Sequence, residues 1–169
     1  MAISMYTASV PVLVQMLDSL SDVLNKAEAH ATEKNIAPEI FLQSRLFPDM
    51  FALVRQVQIA ADFAKGVAGR LAGADLPAYE DNEQSFADLQ QRIAKTKTFI
   101  QSLDAVQFEG SEDREIVLRP GTPKEKKLTG HAYLLNYGLP QFFFHVTTTY
   151  AILRHQGVAL GKKDFMGAY

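Results

Sequence analysis

The amino-acid sequence predicts an all-α fold: a four-helix bundle with a short β-hairpin or extended insertion before the last helix. Three observations predict it. Four segments carry apolar residues at alternating three- and four-residue steps, the signature of one buried helical face. Proline, glycine and asparagine punctuate their ends. One stretch, "FEGSEDREIVLRPGTPKEKKLTG", breaks that rhythm with turn chemistry between two short runs of strand character.

The first segment runs from about Ile3 to Glu33, with Val10, Leu13, Leu17, Leu20, Leu24 and Ala27 as its stripe. Pro11 falls near its start, where a helix tolerates the missing N–H. Asn35 is placed to act as a left-handed cap, and Pro38 opens the next helix. That second helix is expected over Pro38 to Ala72, with a seam of Leu46, Met50, Leu53, Val57, Ala60, Ala64, Val67 and Leu71. Pro48 lies inside it and predicts a kink, or a restart after Phe47. Gly73 stops the helix, and the acid-rich "GADLPAYEDNE" forms a long loop.

The third helix starts near Asn82 or Ser85 and ends near Leu103, with Phe86, Leu89, Ile93, Thr96 and Ile100 as its stripe. The "RPGTP" turn then joins "REIVL" to "KEKKLT", and the charge run Lys124 to Lys127 reads as a solvated edge. The last helix begins after Thr129, its N-cap, and runs to about Gln156, with Gly157 as its stop. Val158, Leu160, Phe165 and Met166 can tie an irregular tail to the bundle. The long loop between the second and third helices permits a crossover topology.

The chain has 169 residues, which favours one domain spanning 1–169. It has no cysteine, so disulfides, thiol catalysis and cysteine metal ligands are excluded. The formal net charge of -2 gives no bulk electrostatic reason to expect nucleic acid or an anionic membrane as partner. No run approaches the roughly 18 apolar residues of a membrane span. The N-terminus lacks the basic flank and cleavage site of a signal peptide. A cytoplasmic protein is the expectation.

Histidine decides how much chemistry the chain can offer. His145 and His155 are ten residues apart, about 15 Å of helical rise and roughly 80° of rotation. They cannot share one ion. His131 is about 21 Å from His145 by the same rise, and no HxxH or HxxxH occurs. His30 lies near the end of the first helix. A three-histidine metal site is therefore not expected. The remaining candidates form two polar flanks. His145 shares one with Thr149, and Arg45, Asp49 and Gln56 run beside the seam of the second helix. Facing each other, these flanks would line an inter-helix pocket for a small molecule or an atypical divalent metal. Within it, His145 would be the base or the single imidazole ligand, Asp49 its orienter or a carboxylate ligand, and Arg45 an anion clamp. The competing expectation is a non-catalytic dimer in which the same residues form a structural polar network. Phe143, Phe144 and Ile152 make the last helix apolar on several sides, which predicts a homodimer interface built from it. Thr147, Thr148 and Thr149 spread over three faces and can bond back to the preceding turn.

"RLFPDMFALVRQVQIAADFAKG", "RLAG" before a loop of proline and acids, and "FFFHVTTTYAILRHQGVALGKKDFMG" resemble a domain-of-unknown-function branch of the DinB/YfiT-like superfamily. The resemblance covers Met5 to Gly167. It implies an up-down-down-up four-helix bundle, often a homodimer. The wider superfamily includes metalloenzymes and metal-dependent thiol S-transferases, with one metal histidine on the second helix and two near the end of the last. Here the second helix has no histidine, and Asp49 or Gln56 is the nearest substitute. "LRHQG" keeps only His155, whose i−4 neighbour is Ala151.

Overall fold

A computed structural model describes residues 3–169; the first two residues of the expected domain lie outside it. The chain is mostly helical, with one two-stranded sheet among the described residues. The order is α1 (Val10–Glu33), α2 (Pro38–Leu42), α3 (Leu53–Ala72), α4 (Phe86–Gln101), a 3₁₀ turn (Ala105–Phe108), β1 (Glu115–Leu118) and β2 (Lys126–Thr129). There follows one helical run of three parts: α5 (Gly130–Ala132), a π-helical segment (Tyr133–Gly138) and α6 (Leu139–His155). A short α7 (Lys162–Met166) ends the order.

α3 is the central element. It packs against both α4 and α6, while α1 packs against α4 and α7. Its fully buried Leu53, Val57, Ala60, Ala64, Val67 and Leu71 are the last six of the eight residues of the expected seam. Small residues along this face let neighbouring backbones come close. At Gly138 a Cβ would fall 2.4 Å from a Val67 methyl, so the last helical run needs glycine where it crosses α3.

Two boundaries differ from the sequence expectation, and proline explains both. α1 begins at Val10, after turns over residues 5–9, and not near Ile3. A helix running through from Ile3 would need an N–H at position 11 to bond the carbonyl of Thr7, and Pro11 has none. The expected second helix is two helices. Between Leu42 and Leu53 the chain is irregular, because Pro48 lacks a donor and its ring clashes with the preceding turn. Leu46 and Phe47 are consequently exposed.

The remaining ends follow local chemistry. Asn35 takes φ 54° and Gly73 φ 69°, and each closes its helix in the left-handed region. The Ser85 and Thr129 side chains accept from the backbone N–H of Asp88 and Ala132, capping α4 and α5. β1 and β2 pair antiparallel, with Glu115 opposite Thr129 and Leu118 opposite Lys126, as the hairpin reading predicts. The tail is not irregular throughout: α7 docks on α1, where Ser19 Oγ lies 2.6 Å from the carbonyls of both Asp164 and Phe165, sharing its one proton between them, and Lys26 pairs with Asp164.

Candidate functional site

Gln56 lies one turn into α3 and His145 lies midway along α6, and the contact of these two helices brings them together. Gln56 Nε2 donates to the carbonyl of Phe51 at 3.1 Å, which turns its Oε1 toward His145 Nδ1 at 2.7 Å. An amide oxygen only accepts, so this network assigns the proton to Nδ1 and leaves the lone pair on Nε2. Nε2 has no partner among the described residues. The His145 ring stacks on Phe63 (centroids 5.9 Å apart, 14° between planes) and meets the edge of Phe144. The residue is 7% exposed. Burial, with the positive charge of Arg55 adding to it, pushes the imidazole down from its ordinary value to about 4. At neutral pH His145 is an uncharged, fixed ring.

The other sequence candidates do not join this pair. Arg45 and Asp49 lie in the irregular link before α3, both exposed, and no hydrogen bond or ion pair connects them to each other, to Gln56 or to His145 among the described residues. Their i,i+4 relation required a helix that Pro48 prevents. Thr149 is buried, but its hydroxyl donates to the His145 carbonyl at 2.9 Å, the back-bond expected of a helical threonine. Thr148 does the same to Phe144. His30 meets the edge of the Phe41 ring, and His155 is exposed on the last turn of α6. Among the described residues no three His, Asp or Glu side chains are grouped so as to hold a metal ion. The donor set that the superfamily would bring is therefore not assembled, and His145 with one amide partner does not replace it.

Sequence reasoning missed the densest polar cluster. Arg92 on α4 is fully buried. Its Nη2 is 3.0 Å from both Asp62 and Asp81, and its Nη1 is 2.8 Å from Glu83 and 3.2 Å from the carbonyl of Glu80. Arg55 pairs with Asp81, Gln58 donates to Glu83, and Lys65 reaches the carbonyl of Pro77. The Tyr79 ring lies under Lys65 and Lys95. These contacts fasten the 74–85 loop to α3 and α4. Burial works to raise the Glu83 carboxyl, but hydrogen bonds from Arg92 and Gln58 outweigh it and hold it below the usual range. The signal was present: Arg92 falls between Leu89 and Thr96 on the core side of α4, opposite an acid-rich loop.

A cleft of about 220 Å³ opens beside the His145 pair, lined by Asp62, Phe63 and Arg70 of α3, Leu118 and Arg119 of the hairpin, and Tyr133 and Tyr137 of the π-helical segment. Phe63 belongs to both places, since its ring also meets Tyr137 edge-on at 5.9 Å.

No match is found among curated proteins. Among solved structures, a DinB family member from Shewanella denitrificans, determined at 1.83 Å, is 39% identical, with a TM-score of 0.91 over 97% of this chain and 92% of that one. The DUF1993 family, a domain of unknown function, matches residues 5–166. With both matches running nearly end to end, the chain belongs to the DUF1993 family and is DinB-like.

Proposed function

We propose that the protein binds a small organic molecule in the cleft between α3, the hairpin and the π-helical segment, with Gln56 and His145 as fixed support behind its Phe63 wall. Phe63 carries the reading. One aromatic ring packs on the immobilised imidazole and also lines the cleft, so the polar pair holds a wall of the site in place. An imidazole with its pKa near 4 is a weak base at neutral pH, which favours binding over proton transfer. The π-helical segment adds weight, because such insertions concentrate at functional sites. The long 73–85 link supports an up-down-down-up arrangement of α1, α3, α4 and the α5–α6 run in one domain.

The test is elemental analysis of the purified protein, followed by crystallographic soaks with small aromatic fragments. The expected result is fragment density bounded by Phe63 and Tyr137. Stoichiometric zinc that disappears in His145→Ala would overturn the reading in favour of a metal centre.

A second reading, a non-catalytic homodimer, is favoured by one observation. Phe51 and Phe144 are both 56% exposed, and they flank the Gln56–His145 pair through the Phe51 carbonyl and the Phe144 ring. Ile152, expected at that interface, is instead buried within its own chain, and Phe143 is half-buried. Sedimentation equilibrium of the protein and of Phe144→Ser tests this: a dimer weakened at least tenfold by the substitution supports it, and a monomer at all concentrations refutes it.

A further inference from the structure

Resting on the reading that this cleft binds a small molecule, we propose that its ligand is a small aromatic carboxylate, with Arg70 and Arg119 gripping the carboxylate and Phe63, Tyr133 and Tyr137 enclosing the ring. The charge balance of the walls comes first. Among the described residues neither Arg70 nor Arg119 pairs with a carboxylate. The one acid in the lining, Asp62, is already engaged by Arg92 and Lys65. A second cleft of about 220 Å³ shares Leu118, Arg119 and Tyr137 with the first and adds Lys124 and Lys126, which also lack carboxylate partners. The lysine run that reads as a solvated edge in the sequence therefore borders a cationic concavity, and such a concavity concentrates anions.

The arginines are positioned. Arg70 Nη1 donates to the Tyr133 hydroxyl at 3.2 Å, leaving its other N–H groups for a ligand. The guanidinium lies over Gly66, where a Cβ would fall 2.4 Å from Nη1, so a larger residue would displace it. Arg119 holds φ 52°, a left-handed conformation that side chains other than glycine rarely adopt, just beyond Leu118 at the end of β1. A planar guanidinium suits a planar carboxylate, to which it can donate two parallel hydrogen bonds.

The aromatic walls and the volume set the rest of the ligand. Tyr133 and Tyr137 are stacked with centroids 6.0 Å apart, and Phe63 meets Tyr137 edge-on. Three rings offer no advantage to inorganic phosphate but suit a flat apolar body. The cleft is smaller than the roughly 300–1,000 Å³ of drug-sized sites, which restricts the occupant to about one ring.

The experiment titrates the full chain with benzoate, benzyl alcohol and inorganic phosphate, following backbone amide shifts by NMR. Benzoate should bind saturably, with shifts centred on Phe63, Arg70, Arg119 and Tyr137. Its Kd should rise at least tenfold in Arg70→Gln and in the exposed, fold-neutral Arg119→Gln, and stay unchanged in Lys127→Gln, which faces Glu115 outside the cleft. Benzyl alcohol binding as tightly as benzoate would overturn the carboxylate assignment and leave the small-molecule reading standing. Phosphate binding as tightly as benzoate would overturn the aromatic assignment. Saturation by none of the three would remove both the assignment and the reading beneath it.

Discussion

Arg92 and His145 both enter the core against α3, from α4 and α6, and they are stabilised in opposite ways. Arg92 keeps its charge and is met by three carboxylates and a backbone carbonyl. His145 gives up its charge and is met by one amide and two aromatic rings. The difference follows from the neighbours. The 74–85 loop can bring acids to Arg92, whereas the α3–α6 contact brings only Gln56 and apolar surface. A buried charge holds when its partners outweigh desolvation; a buried histidine without a carboxylate becomes neutral.

Breaking the charged cluster should have the largest effect. Arg92→Met leaves the buried Glu83 carboxylate with Gln58 as its remaining side-chain donor and takes the guanidinium away from Asp62 and Asp81, with an expected loss of about 3–5 kcal/mol in urea unfolding. The two centres should then separate by pH. His145 has a folded pKa below its unfolded value, so the unfolded state binds more protons between the two. Stability is full above about pH 6.5 and falls as the pH drops toward 4, by up to roughly 3 kcal/mol. His145→Leu should flatten that slope. The carboxylates around Arg92 are shifted in the same direction, downward, but from a lower starting value. Their contribution is present above the ordinary carboxylate pKa of about 4 and is lost only as the pH falls through their lowered values. Unfolding midpoints across the pH range of both variants check the pair of windows.

Gln56→Leu should cost about 1–3 kcal/mol, because it leaves the Nδ1 proton of His145 and the Phe51 carbonyl without a partner. Its histidine NMR signals should lose the fixed Nδ1–H tautomer. Arg45→Ala and Asp49→Ala should change stability by no more than about 0.5 kcal/mol, as expected of exposed side chains without partners among the described residues.

The four apolar stripes made the long helices legible, and Asn35, Gly73, Ser85 and Thr129 made several of their ends legible, because caps and turns are local chemistry. A break at Pro48 was legible, but its extent from 43 to 52 was not, since Leu46 and Met50 continue the helical rhythm through a region where Pro48 removes the helix. That single break also separated Arg45 and Asp49 from the site. Gln56 and His145 were legible as a pair because both lie on helices whose contact the stripes define. The Arg92 cluster joins residues from α3, α4 and a loop, and periodicity does not say which acid a buried arginine will meet. The cleft depends on where the hairpin folds back, which no local pattern encodes.

The bond between Ser19 and the α7 segment has a consequence in time. Ser19 is buried, and its one hydroxyl proton is shared between carbonyls 145 and 146 residues further along. At about 5–20 residues per second, translation takes on the order of ten seconds to cover that span. Throughout that interval the face of α1 that carries Gln15, Ser19 and Lys26 waits without its cover, screened only by whatever has already emerged. Closing so distant a contact is also slow, since the chain must bring widely separated segments together before any reward arrives. The docking of α7 is therefore expected well after α1 has emerged, as a late step in completing that helix's packing.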